Sequence, residues 1–336
     1  KIEVDMKTKL LILFLVFSIY CFSQQKYKKI NNLRNYETGS EIYRNRMREL
    51  ILEIKKNTSK DRLLITQNGN ELYFYNGELN KDFINVTDGT TQESLYYGAE
   101  FKLTNPTSKK QKEQLLNWLI PVRKYGKPVF VINYGSGKKV RQDLLKKSEE
   151  TKFINELLPS FEANMTYVPV QRFNADNITS LADVKNFLVL LNPEKFKNID
   201  AFFEYLKQTD YDLLLIELSH NGKFMTKDQI SILKRKKNGA IRKVIAYFSI
   251  GEAENYRNYW KEEWDNKSRR PSWIVEENPY WKGDFIVKYW SSEWKQIVKD
   301  YQKKLDEIGV DGYLLDTVDT YYNFEDKSEK TGKLID

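Results

Sequence analysis

The chain is expected to fold as an α/β protein, a (β/α)8 TIM barrel in one domain. Short apolar segments alternate with amphipathic helical ones along its length. Nearly every strand segment is a continuous apolar run, the pattern of strands buried on both faces of a parallel sheet. About eight such units follow one another without a Pro/Gly-rich boundary, which favours one barrel over two doubly wound halves.

The elements come in order. Residues 6–9 are basic, residues 10–19 form an apolar run broken only by Ser18, and Cys21-Phe22-Ser23 is a small-x-small pattern before Gln24-Gln25. This predicts a secretory signal peptide at 1–23, with a short upstream extension and cleavage near Ser23. The run is short for a bilayer span. A lipid-modified Cys21 is the alternative, and bulky Tyr20 argues against it. The expected product is secreted or periplasmic, with no stable membrane insertion after cleavage. Residues 24–39 read as a polar linker and 40–330 as the barrel.

Tyr43, Met47, Leu50, Ile51 and Ile54 recur at helical spacing. Strands are predicted at 62–66, 83–86 and 128–132, with a helix at Leu115, Leu116, Leu119 and Ile120. Leu144, Leu145, Ile154, Leu157 and Leu158 extend a helical pattern, and 165–168 reads as an extra short strand. Further strands are predicted at 187–191, 213–216, 244–248, 285–287 and 313–315. Helices between them are marked by Phe196, Ile199, Phe203 and Leu206, then Ile230 and Leu233, then Trp294 to Leu305.

Composition narrows the chemistry. Of 336 residues, 40% are hydrophobic and 14% aromatic, enough to bury a core and exclude wholesale disorder. The 55 Lys+Arg and 47 Asp+Glu are interspersed and leave +8, so no dedicated nucleic-acid binder is expected. Signal cleavage leaves +7 and removes Cys21, the only cysteine. One cysteine and one histidine exclude a Cys-rich zinc site, a disulfide framework and a three-His metal site. No metal and no cofactor are expected, and a monomer is.

In such barrels function sits at the C-terminal strand ends. The polar residues predicted there are Gln67, Asn68, Asp88, Glu93, Asn133, Tyr134, Glu217, Ser219, His220, Glu252, Glu254, Asp316 and Asp319. Carboxylates dominate. Any one of them alone reads first as a solvated loop charge or a helix cap; seven converging on one rim point to acid–base work. The sole imidazole, His220, reads as a loop residue or a substrate contact. The 133–137 turn lacks the Lys-Ser/Thr ending of a phosphate loop. Six tryptophans crowd between 260 and 294. Trp273 and Trp281 flank a loop, where they read either as sugar-stacking faces or as the loop's own filling.

Three strings then carry a resemblance: SIGEAE at 249–254 inside a longer Tyr247–Trp260 segment, ENPYWKG at 277–283, and DGYLLDTVD at 311–319. They resemble glycoside hydrolase family 114, the endo-α-1,4-polygalactosaminidase-like TIM barrels, some of whose relatives are labelled extracellular cysteinyl-tRNA synthetase-like. ITQNG at 65–69, DGTTQESLYY at 88–97 and KPVFVINY at 127–134 resemble strands that in the family follow the LDTVD strand. Here they precede it. The resemblance therefore implies a circularly permuted barrel cut after Asp319, with 171–185 as the new joint. A tandem gene ending at Asp336 is the other reading of that order.

By resemblance Asp316 is the nucleophile and Glu93 the acid/base. Glu252, Glu254, Asp319 and Tyr247 would contact the sugar, with Glu217, Asn68, Asp88, Tyr134 and Trp281 completing the substrate site. Relatives usually carry Asp at the position of Glu217. What the resemblance implies is an exported, retaining hydrolase of an amino-sugar polysaccharide; the alternative is a barrel that binds glycan without cleaving it.

Overall fold

The computed structural model describes residues 40–59, 61–164 and 171–336. The proposed signal peptide, the linker at 24–39 and the strand expected at 165–168 lie outside the described residues. The chain divides into two compact units, one reaching to Asn45 together with Tyr321–Asp336, the other Arg46–Thr320.

The second unit holds the barrel. Its strands are β1 Leu63–Gln67, β2 Gly89–Glu93, β3 Val129–Tyr134, β4 Ile154–Leu158, β5 Phe187–Leu190, β6 Leu213–Ile216, β7 Lys243–Ser249 and β8 Gly312–Asp316. They form one parallel sheet in the order β4-β3-β2-β1-β8-β7-β6-β5, and the end strands β4 and β5 approach each other without a ladder. The expected (β/α)8 fold is therefore present. The first and last strands pair in register, Leu64 opposite Tyr313 and Thr66 opposite Leu315. Gly312 permits this approach, because a Cβ there would sit 2.1 Å from the Leu63 carbonyl oxygen.

Side chains from alternate strand positions fill the interior, among them Ile65, Phe130, Ile132, Phe187, Val189, Leu213, Leu215, Ile245 and Leu314. Connecting helices include Lys109–Lys124, Lys138–Thr151, Ile199–Lys207, Lys227–Leu233 and Ser292–Ile308.

Three elements differ from the sequence reading. Residues 83–86 belong to a helix, Lys81–Val86, started by Asn80, whose side chain accepts from the Phe83 amide at 3.1 Å. The strand is the following Gly89–Glu93. Ile154–Leu158, read as helix, is β4; Lys152, left-handed at φ 61°, ends the preceding helix. The segment at 285–287 is a strand, Asp284–Val287, but it pairs antiparallel with Glu252–Glu254 and Ile274–Glu277 in a small sheet after β7.

The opposite end of the barrel has its own device. Asp88, Asp212 and Asp311 each stand just before a strand and accept a backbone amide near the start of a neighbouring one: Leu64, Lys185 and Val244, each at 2.8 Å. Asp88 is thus a strand-start cap at the N-terminal face and takes no part in a rim site, which corrects its expected placement. The joint at 171–185 is pinned there too. Fully buried Lys236 pairs with Asp212 at 2.5 Å and donates to the Asn174 and Asp176 carbonyls at 2.8 Å.

In the first unit Arg44 pairs with Glu325 at 3.1 Å, and the Ile335 amide donates to the Tyr43 hydroxyl at 2.8 Å. Among the described residues no helix is long and apolar enough to cross a membrane.

Candidate active site

The C-terminal strand ends open into a cleft of about 590 Å³. Asn68 after β1, Glu93 on β2, Tyr134 on β3, Glu217 after β6, Tyr247 on β7, Glu252 after it, and Asp316 and Asp319 at β8 all line it. Residues drawn from opposite ends of the chain meet here because β8 and β1 are neighbours.

The strand ends are sharply turned. Asn68, Ser94 and Thr317, each the residue after a strand, are left-handed at φ 56°, 52° and 58°. Asparagine tolerates this conformation, but for a β-branched threonine it is strained. Thr317 is held in it from several directions. Gly251 N donates to its Oγ1 at 2.8 Å, Ser249 Oγ lies 3.0 Å away, and its own amide donates to Asp316 Oδ1 at 2.7 Å. Gly251 is required, since a Cβ would lie 2.1 Å from the Thr317 carbonyl oxygen. The glycine of the SIGEAE string and the turn of the LDTVD string are therefore one packing unit.

Glu93 is fixed from both sides. Asn68 Nδ2 donates to its Oε2 at 2.8 Å, the Tyr134 hydroxyl donates to its Oε1, and Asn68 Oδ1 accepts its backbone amide at 3.0 Å. Opposite it, desolvation and then the charge of Glu93 push Asp316 up to about 8, against hydrogen bonds from the Thr317 amide and Tyr247. Asp319 rises to about 7 by desolvation and the charges of Glu252 and Glu93. Desolvation also takes Glu252 to about 7, although Asn278 Nδ2 donates to both its oxygens at 3.0 Å. Buried acids that cannot all ionise together are a feature of working carboxylate sites.

Two expected contacts have another occupation. Glu254 is 2% exposed and does not line the cleft. Arg257 pairs with it at 2.6 Å and with Glu217 at 2.7 Å, all three side chains being at least 95% buried. Glu217 also accepts from the Leu218 and Ser219 amides and the Ser219 hydroxyl. Glu254 is therefore a buried anchor, a correction to its expected sugar contact, and Glu217 reaches the cleft with its oxygens already engaged.

The tryptophans divide likewise. Trp264 packs edge to face against Trp260 and Trp273, with ring centroids 5.4 and 5.3 Å apart, and Trp273 is tilted against Trp294 at 5.4 Å; Trp264, Trp273 and Trp294 are buried. Trp281 stands 41% exposed in the cleft. His220 lines it too, with Nε2 3.0 Å from the Phe196 carbonyl oxygen.

Sequence reasoning missed Asp284, Arg257, Phe101, Phe161 and Tyr280. Asp284 lines the cleft and is pushed up to about 8 by desolvation and the charges of Glu254 and Glu252. It lies beside the quoted ENPYWKG string, and its place at the start of a strand facing that string was the available signal. Among the described residues no cluster of acids, histidine and cysteine is arranged to hold a metal ion.

Fold and site together define a parallel (β/α)8 barrel with a carboxylate-floored, aromatic-walled cleft at the C-terminal strand ends. Residues 200–335 match the model of the glycoside-hydrolase family GH114. An uncharacterized protein of Methanocaldococcus jannaschii is 39% identical over 152 residues, 44% of this chain and 41% of the relative. One of Thermotoga maritima is 46% identical over 77 residues, 23% of each. The crystal structure of Aspergillus fumigatus Ega3 in complex with galactosamine aligns at 29% identity over 33% of this chain and 39% of that one, with a TM-score of 0.26. The chain spans less than half the length of these relatives. The GH114 match holds Asp316, Asp319 and Glu252, while Glu93 lies outside it.

Proposed function

We propose that this protein is an exported, retaining glycoside hydrolase acting on an amino-sugar polymer of the polygalactosamine kind, with Asp316 as nucleophile and Glu93 as acid/base. The observation that carries the reading is the joint placement of the two carboxyls: they line one cleft, on strands from opposite ends of the chain, and Glu93's charge raises Asp316. Retention needs such a pair about 5–5.5 Å apart with one proton between them.

Desolvation and the charge of Glu93 favour the protonated form of Asp316, and in the proposed cycle that proton passes to Glu93 once substrate binds. A cationic sugar drives the transfer, because an ammonium near Asp316 and Asp319 favours their ionised forms. Asp316 then attacks the anomeric carbon while Glu93 protonates the departing glycosidic oxygen. Glu93, now a carboxylate, takes a proton from water, and that water cleaves the glycosyl–Asp316 ester. Asn68 and Tyr134 hold Glu93 in place through both steps. Tyr247, Glu252 and Asp319 contact hydroxyls and amines of the ring, and the four raised acids favour a cationic substrate over a neutral one.

The test is release of reducing ends from polygalactosamine by the wild type, Asp316→Asn and Glu93→Gln. Release by the wild type alone supports the assignment. Release by either variant at the wild-type rate removes that residue from the mechanism. A wild type that is retained by the polymer but cleaves nothing makes the protein a glycan-binding barrel.

A further inference from the structure

Seven aromatic side chains stand prominently exposed among the described residues, and four of them, Phe101, Tyr256, Tyr280 and Trp281, line the proposed reaction cleft. Two make a contact that the reading so far does not use. Phe101, in the loop after β2, lies parallel to Tyr280, in the segment after β7, with centroids 6.2 Å apart and an interplanar angle of 18°. In the sheet β1 and β8 lie between β2 and β7. The contact therefore spans the strand ends that carry Asn68, Asp316 and Asp319.

The loop that presents Phe101 is built for the purpose. Glu100, Phe101 and Thr104 are left-handed at φ 56°, 53° and 66°, which a bulky aromatic residue adopts only when its surroundings impose it. Here they do. Gly98 N bonds the Asn105 carbonyl at 2.9 Å, Thr104 N the Tyr134 carbonyl at 2.9 Å, and Ser136 N the Thr104 hydroxyl at 3.0 Å. Phe101 also leans on Phe161, centroids 5.6 Å apart, and Phe161 stacks at 4.3 Å on Tyr134, whose hydroxyl holds Glu93. Despite these supports Phe101 remains 56% exposed and Tyr280 46%. The strained loop thus spends its own strain on a ring that stays more than half exposed at the cleft.

We propose that Phe101 and Tyr280 form an outer subsite that grips a hexosamine ring of the polymer beside the carboxylate pair. The proposal rests on the hydrolase reading above. A pyranose ring offers an apolar C–H face to an aromatic ring, and an amino sugar adds an ammonium that aromatic faces attract. Both residues then govern hold on the polymer more than the bond-breaking step.

The test uses the full chain in affinity electrophoresis through gels containing polygalactosamine, alongside reducing-end kinetics. Phe101→Ala and Tyr280→Ala should each weaken retention roughly tenfold, as loss of a good ring contact predicts. The loss should fall on KM more than on kcat, and Phe101→Trp should restore retention. Thermal melts check that each variant is folded. Unchanged retention in both alanine variants, or a Phe101→Trp as weak as Phe101→Ala, overturns the subsite while leaving the hydrolase reading intact. A wild type neither retained nor active overturns both.

Discussion

Glu93 sits where its charge raises the pKa of Asp316, and this electrostatic link joins the second strand of the barrel to the eighth. It can be measured without any substrate. Glu93→Gln removes the charge but keeps the shape, so the Asp316 carboxyl should titrate below about 8, while desolvation, the larger cause, still holds it above its ordinary value. A carbon-detected NMR titration of labelled aspartates reads it. An Asp316 titration that ignores the substitution places the two groups too far apart for paired catalysis.

Turnover should depend steeply on the same pair. Asp316→Ala and Glu93→Ala should each cost about 10²–10⁴ in kcat if they act as nucleophile and acid/base. Both variants should melt close to the wild type, since rim carboxylates fill no core. Activity within about tenfold of wild type would remove that residue from the proposed role.

The cleft acids make stability fall as pH rises. Asp316 and Asp284 near 8, and Asp319 and Glu252 near 7, all lie above their ordinary values in the folded chain. The folded state therefore binds more protons than the unfolded one from about pH 4 upward. Their contribution is fully present below the ordinary carboxyl range and is lost as pH passes through 7 and 8. The melting temperature should be several degrees higher at about pH 5.5 than at about pH 8.5. Asp319→Asn should narrow that gap by raising the alkaline value, and a melting temperature that climbs with pH over this range would contradict the burial of these acids.

Arg257 should matter to the fold more than to the chemistry. It lies between Glu217 and Glu254 with all three buried, so Arg257→Met leaves two unpaired charges and should cost about 3–5 kcal/mol in urea unfolding. Converting both acids to Gln in the same chain should recover most of the loss. If Arg257→Met is as stable as wild type, the network is not the anchor inferred here.

Most of the barrel was legible because its strands are apolar runs, and the failures share a cause. Gly89–Glu93 is buried without one apolar side chain. It is held instead by polar pairs, Thr66 with Thr90 at 3.0 Å, Thr90 with Asn70 at 2.7 Å and Asn70 with Gln92 at 2.8 Å. A hydrophobic pattern cannot register such a strand, so the nearby Phe83–Val86 run took its place and carried Asp88 to the wrong end. Ile154–Leu158 continued the helical spacing of Leu144 and Leu145, and only the left-handed Lys152 separates the two. In the site, single carboxylates were legible as strand-end residues. Which of them face the cleft and which pair with Arg257 was not, because that depends on how the segment after β7 folds back to bring Arg257 between Glu217 and Glu254. The aromatic contact of Phe101 with Tyr280 depends on loop conformation, which spacing does not encode.

The order of the strands yields the last prediction. If residues 65–69, 88–97 and 127–134 correspond to strands that follow LDTVD in the family, as their resemblance implies, this chain is circularly permuted. The described fold has β8 beside β1 and β1 beside β2, which permutation requires, but every closed barrel pairs its first and last strands. Pairing therefore does not decide. Register against an unpermuted relative does. Superposed through β7 and β8, such a relative should place the strand after its own LDTVD strand on Leu63–Gln67, and its next strand on Gly89–Glu93, with a glutamate at Glu93. Tyr43 and Ile335 are already neighbours, the Ile335 amide bonding the Tyr43 hydroxyl. A chain rebuilt from Gln171 through Asp336, joined by a short linker to Ser40 and ended at Asn164, should accordingly fold with the wild-type circular dichroism and a cooperative melt. Its right-handed crossover from β8 to β1 would then be made by adjacent chain, as parallel barrels require. If the relative's first strand instead falls on Leu63–Gln67, the order is the ordinary one and Glu93 loses its role as partner of Asp316.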